Sequence, residues 1–194
     1  TIHAKEISRI YLGTESAVDA AKPTGTYAMQ MEEEVLEPEY GKRIFRNCDV
    51  VDMTFACVGA VDALQNCLDY IRVNPDKKAV VIATDHAKYE LASSGEYTQG
   101  GGAVAFLISS HPKLIEFDNV VGVATESVFD FFKPRRTVLK KDLATSTEHM
   151  PEKIEIFTDE PVFDGHYSNQ CYQDRIREAY EHYKEQTGID KPYE

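Results

Sequence analysis

The chain has 194 residues, a net charge of -12, 42% hydrophobic and 28% charged residues, a composition that suits one globular domain or a large piece of a bigger protein. So acidic a chain repels phosphate backbones and anionic lipid head groups, which excludes general nucleic-acid or membrane-surface binding. No run reaches the roughly 18 apolar residues of a membrane span, no leader precedes a cleavage site, and the four cysteines, Cys48, Cys57, Cys67 and Cys171, suit neither a disulfide framework nor a zinc pair. The expectation is a cytoplasmic chain with reduced thiols and no metal. It begins at Thr1 and stops at Lys191-Pro192-Tyr193-Glu194, which reads as a fragment.

Taken in chain order, Ile7 to Gly13 is short, apolar and β-branched enough to predict a buried strand, ending in the polar turn Thr14-Glu15-Ser16. The chain breaks around Pro23, and Tyr27 to Leu36 reads as a helix with the acidic run Glu32-Glu33-Glu34 toward solvent. Cys48 to Met53 predicts a second strand and Val58 to Val73 an amphipathic helix through Ala60, Leu64, Cys67, Leu68 and Ile71, with Cys57 at their junction. Ala79 to Ala83 predicts a third strand stopping at Thr84-Asp85, and Gly100 to Ser109 a glycine turn leading into a fourth. From His111 to about Pro161 the pattern weakens into short apolar pieces, read as an inserted cap or connection. Asn169 to Gln186 predicts a last helix with Gly188 as its C-cap. Alternating strands and helices indicate α/β layering. The expected domains are residues 1–110, carrying the reactive cysteine, and 111–194, the cap or connection with the start of a second half.

Two residues stand where acyl chemistry needs them. A cysteine at a strand-to-helix turn lies at the positive end of the helix dipole, which favours thiolate. The small flanks Ala56, Val58, Gly59 and Ala60 leave room for a substrate and for backbone N–H groups to approach an oxyanion. Position alone favours a small packed thiol at Cys57 over a nucleophile. Glu15 follows an apolar strand outside any charge run, as a general base would, although a capping carboxylate for the Ala17 region fits the same spacing. Cys48 and Cys67 share apolar periodicities and read as core, and Cys171 as a packing residue. The glycines 100–102 lack nucleotide-loop spacing. The basic run Lys133-Pro134-Arg135-Arg136 and the pair Lys140-Lys141 read as solvated surface or as a site for an anionic ligand.

Five ordered blocks, GTESAVDAAKP (13–23), DMTFACVGAVDALQNC (52–67), VIATDHAKYELASSGEYTQGGGAVAFLI (81–108), SVFDFFKP (127–134) and DGHYSNQCY (164–172), resemble 3-hydroxy-3-methylglutaryl-CoA synthase of the bacterial mevalonate type, a thiolase-superfamily enzyme. The resemblance implies a thiolase-like layered α/β/α fold, incomplete here, comprising mainly the first thiolase half plus an inserted cap. It implies that Cys57 takes an acetyl group from acetyl-CoA and that Glu15 removes a methyl proton. The resulting enolate attacks acetoacetyl-CoA, and water releases the product with no cofactor. Asp85, Tyr89, Thr98, Gly100, Asp130 and Ser168 match motif positions implied to line the substrate pocket. The family's general acid lies in a His-x-Pro-Phe segment that these 194 residues do not contain, so the isolated chain is expected to perform at most partial reactions. A homodimer is implied for the intact enzyme. The alternatives are a polyketide β-branching synthase acting on a carrier-protein-bound acetoacetyl group, and a non-catalytic thiolase-fold fragment.

Overall fold

The computed structural model describes residues 3–142, 151–157 and 160–189; Thr1 and the end Lys191-Pro192-Tyr193-Glu194 lie outside them. The chain divides into two compact units, Thr1–Lys88 with Tyr97–Glu116 and Tyr89–Glu96 with Phe117–Glu194.

The first unit is built on β1 (Ile7–Gly13), α1 (Thr24–Tyr40), β2 (Asp49–Met53), α2 (Gly59–Val73), β3 (Lys78–Ala87) and β4 (Gly100–Ile108). The sheet order is β2-β1-β3-β4, with β1 parallel to both neighbours and β4 antiparallel to β3. Helices supply the crossovers that parallel neighbours require. Ile10 lies opposite Val50 and Val80, and Gly13 opposite Met53 and Ala83, so β1 and β2 end together while β3 runs on past them. On one face Tyr11, Ala79 and Val81 pack with Ala63, Cys67 and Ile71 of α2 and with Ile108. The four-residue spacing along α2 places its three side chains on one stripe. Ile10 and Leu12, which alternate to the other face, are also buried. This is the layered α/β arrangement the sequence predicts.

Several boundaries differ from expectation for identifiable reasons. α1 begins at Thr24 rather than Tyr27 because Asp52, distant in sequence, accepts from the N–H groups of Thr24 and of Gly25 (3.0 Å), while Pro23 at the cap position has no side-chain acceptor. It runs past Leu36 to Tyr40 with Pro38 inside. α2 starts one residue later than predicted, after Cys57 turns the backbone to φ 59°. β3 continues past Ala83 to Ala87 because Asp85, His86 and Ala87 pair with Gly102, Gly101 and Gly100. The three glycines are therefore strand, not turn. Asp85 lies within the strand rather than beyond it.

The second unit contains β5 (Phe131–Phe132), β6 (Arg135–Leu139), β7 (Lys153–Phe157), β8 (Val162–Phe163) and α3 (Gly165–Thr187). β5 pairs antiparallel with β8, and β6 with β7. α3 starts four residues before Asn169 because Asp164 accepts from the N–H groups of His166 and Tyr167, both at 3.1 Å, and it ends at Gly188 in the left-handed region, as predicted. Segment 118–126 follows this helix: Tyr183 Oη donates to Asp118, Val123 N–H to His182 Nδ1, and Gln186 Nε2 to the Val121 carbonyl, each at 3.0 Å. Among the described residues no helix is long and apolar enough to cross a membrane.

Candidate active site

The carboxyl ends of β1 and β2 meet beside Ala83 of β3 at one edge of the first unit, the edge where open α/β sheets place their ligand sites. Thr14 N–H donates to the Met53 carbonyl at 3.1 Å, tying the turn after β1 to the end of β2. Gly13 itself lies against the start of α2: a Cβ there would fall 2.0 Å from Ala60 N and 2.4 Å from the Gly59 carbonyl carbon. A Cβ on Gly59 would fall 2.5 Å from the Met53 carbonyl oxygen. These two glycines let strand ends and helix start come together without side chains between them.

Cys57 sits on the turn so formed. Val58 N–H donates to the Ala56 carbonyl at 2.6 Å, closing a three-residue turn whose central residue has the positive φ of Cys57. That conformation is sparsely populated by non-glycine residues and costs on the order of 1–3 kcal/mol. The residue is exposed, and it directly precedes Val58, the residue at the cap of α2. Of the donors expected to face an oxyanion, Val58 N–H is spent on Ala56 and Gly59 N–H on the Phe55 carbonyl at 3.0 Å; Ala60 N lies against Gly13.

The other cysteines contrast with it. Burial pushes the Cys48 thiol up to about 12 and the Cys67 thiol up to about 11, so both stay protonated near neutrality. Cys171 is buried in α3. The four thiols form no disulfide.

Glu15 lies in the turn beyond β1, and no helix follows for it to cap, since residues 14–23 are irregular. Its backbone N–H donates to Asp85 Oδ1 at 2.7 Å. The same oxygen accepts from Thr14 Oγ1 at 2.9 Å and Ser16 Oγ at 3.0 Å. Asp85 is thus an internal acceptor holding the Thr14-Glu15-Ser16 turn. A cavity of about 240 Å³ opens beside this cluster, lined by Thr14, Ser16, Thr24, Thr84, Asp85 and His86 among others. Thr98 closes a single helical turn, Glu96–Thr98, and Gly100 begins β4 opposite Ala87.

Three of the predicted pocket residues belong to the second unit. The Tyr89 ring meets Phe163 edge-on, with centroids 5.5 Å apart. Ser168 Oγ donates to Asp130 at 3.2 Å, and Asp130 also accepts Asp164 N–H through its carbonyl at 3.3 Å, so these two residues tie the start of α3 to β5. Sequence reasoning missed Gly13, Thr14, Ser16 and Asp52. The block GTES around Glu15 carried three of them, but their value depends on contacts with distant strands. Among the described residues no cluster of His, Cys, Asp and Glu is arranged to hold a metal ion.

The family model for the N-terminal part of hydroxymethylglutaryl-coenzyme A synthase matches residues 1–113, more than half of the chain. The chain belongs to the hydroxymethylglutaryl-CoA synthase family. It is 34% identical over 189 residues to the hydroxymethylglutaryl-CoA synthase of Haloferax volcanii, a match covering 96% of this chain and 36% of that protein. Among solved structures, it resembles MvaS in complex with 3-hydroxy-3-methylglutaryl coenzyme A, with a TM-score of 0.69 and 29% identity over 95% of this chain and 37% of that one. It also resembles the HMG synthase of the curacin biosynthetic pathway in complex with an acetyl donor-ACP, with a TM-score of 0.72, 25% identity and coverage of 96% and 39%. The fold is thiolase-like, as these synthases are. The chain spans between a third and two-fifths of the length of these relatives.

Proposed function

We propose that this chain carries the acylation and enolisation half of a hydroxymethylglutaryl-CoA synthase. The observation that carries the reading is Cys57, exposed and held at positive φ on the turn leading into α2, at the strand edge that also presents Glu15. In the first step the Cys57 sulfur attacks the acetyl carbonyl of acetyl-CoA and free coenzyme A leaves. The Glu15 carboxylate then takes a proton from the acetyl methyl group, and the enolate carbon bonds to the ketone carbon of acetoacetyl-CoA. Water finally cleaves the Cys57 thioester, returning the thiol and releasing 3-hydroxy-3-methylglutaryl-CoA. These steps balance without metal, nicotinamide or flavin. Protonation of the new alkoxide is assigned to a histidine of the remaining length of the synthase. Asp85, Thr98 and Gly100, with Tyr89, Asp130 and Ser168, are assigned to the substrate pocket. The intact enzyme works in the cytoplasm, supplying the mevalonate route to isoprenoids. A homodimer fits the first unit, whose edge strand β4 leaves Val104, Phe106 and Leu107 exposed.

The decisive experiment is mass spectrometry of the chain after incubation with acetyl-CoA, beside a Cys57→Ser variant. An acetyl adduct on Cys57, lost in the variant, is expected. A folded chain with no adduct, or with an adduct on another cysteine, overturns the assignment of Cys57. A second reading, a β-branching synthase whose acceptor is carried on a protein rather than on coenzyme A, draws on the likeness to the curacin-pathway synthase, whose complex holds a donor-ACP. Condensation with acetoacetyl-CoA against an acetoacetyl carrier protein, measured on the intact synthase, separates the two. Condensation at neither acceptor would favour a non-catalytic role.

A further inference from the structure

We propose that Ser16 is a positioning residue for Glu15, an inference that rests on the reading of Glu15 as the base. The β1–β3 ladder ends where Gly13 meets Ala83, yet β3 runs on to Ala87 with β4 on its other side. Beyond Ala83 no strand among the described residues lies beside the edge of β3 that faced β1, so its backbone donors turn to side chains or water. For His86 the acceptor is Ser16, whose Oγ lies 2.8 Å from His86 N.

That contact fixes the hydroxyl's direction. The Ser16 oxygen accepts from His86 N–H, so its single hydrogen is available to Asp85 Oδ1, 3.0 Å away. Likewise Thr14 Oγ1 accepts Ser16 N–H at 3.0 Å and donates its hydrogen to Asp85 Oδ1 at 2.9 Å. With both hydroxyl hydrogens engaged, the 3.3 Å approach of Thr14 Oγ1 to Ser16 Oγ bridges no proton. The two hydroxyls and the Glu15 N–H thus converge on one carboxylate oxygen, bracketing Glu15 from both sides. Thr14 anchors the turn toward β2 through the Met53 carbonyl, and Ser16 anchors it toward β3. Ser16 reaches no reacting atom in this scheme; it sets where the residue that does is held. Displacements near 1 Å of a reacting group can cost about 10²-fold in rate, which is the scale at which a lost anchor is felt.

The test is amide hydrogen exchange by NMR on the 194-residue chain, comparing wild type, Ser16→Ala and Ser16→Thr. The alanine variant is expected to speed exchange of the Glu15 and His86 amides about tenfold, the effect of one net hydrogen bond, while Cys67 and Ile71 in α2 exchange as before. Threonine, which keeps the hydroxyl, restores slow exchange. Unchanged Glu15 exchange in Ser16→Ala overturns the proposal, as does an acceleration shared equally by Cys67 and Ile71. A second measurement reads the chemistry. With trideuterated acetyl-CoA, Glu15 removes a deuteron from acetyl-Cys57, the carboxyl exchanges it with water, and a proton returns to the carbon. Ser16→Ala is expected to slow this loss of deuterium tenfold or more with the extent of acetylation unchanged; a parallel fall in both overturns a positioning role. Absence of the adduct in wild type counts against the assignment of Cys57 and leaves the amide exchange to decide Ser16.

Discussion

Replacing Gly13 by alanine tests whether the close approach of β1 to the start of α2 builds the nucleophile turn. The added carbon would lie 2.0 Å from Ala60 N and 2.4 Å from both Ala60 Cα and the Gly59 carbonyl carbon, all backbone atoms, whereas ordinary contact begins at 3.4 Å. Strand and helix must therefore separate by more than about 1 Å, because no flexible side chain is there to yield. Overpacking costs about 1–3 kcal/mol where side chains can adjust, and a backbone obstacle puts Gly13→Ala at the upper end, near 3 kcal/mol. At a urea slope of about 2 kcal/mol per molar, the unfolding midpoint falls by about 1.5 M. Far-UV circular dichroism in urea measures it, with Gly102→Ala as control, since a Cβ at Gly102 meets nothing within 4 Å. A Gly13→Ala midpoint within about 0.3 M of wild type, or an equal fall in the control, would refute the reasoning.

Thiol labelling separates the cysteines: at pH 8 iodoacetamide is expected to modify exposed Cys57 first, while Cys48 and Cys67, whose thiols burial pushes up to about 12 and 11, stay protonated and unmodified until the chain unfolds, as peptide mass mapping would show. Tyr11 is pushed up to about 12, first by burial and then by the 2.7 Å hydrogen bond it donates to Asp49. Because the folded-state value is raised, its contribution to stability is complete below pH 10 and is lost as pH climbs through 12; Tyr11→Phe should lower stability by about 1 kcal/mol at pH 7 and shrink the loss seen in urea titrations across that window. Asp164→Ala removes the acceptor for two N–H groups at the start of α3 and should cost about 1 kcal/mol, read as a lower urea midpoint.

Local pattern was enough for the elements whose causes are local. The apolar stripe read along α2 contains Cys67 and Ile71 of its buried face, though that face takes Ala63 rather than Ala60, Leu64 and Leu68, and Gly188 stops α3 because a left-handed residue follows its last turn. Cys57 was legible as a junction residue because a strand pattern gives way to a helix pattern around it, and the five ordered blocks were enough to suggest the family. Boundaries were less legible wherever a distant residue sets them. α1 starts early because Asp52 reaches across to its first amides, and β3 runs long because Gly100–Gly102 lie alongside its end.

The sequence alone determined the layered α/β class, the acidic surface and the residue types able to hold and deprotonate an acyl group. Only the tertiary structure decided that Gly13 and Gly59 are contact points, that Cys57 adopts positive φ, and that Thr14, Glu15 and Ser16 share one oxygen of Asp85. The Gly13 contact with α2 and the Asp85 cluster pair residues about 45 to 70 positions apart, and a side-chain period of two or 3.6 carries information only about near neighbours. Which strand ends meet, and which polar groups they leave to be satisfied, is set when the sheet closes its register.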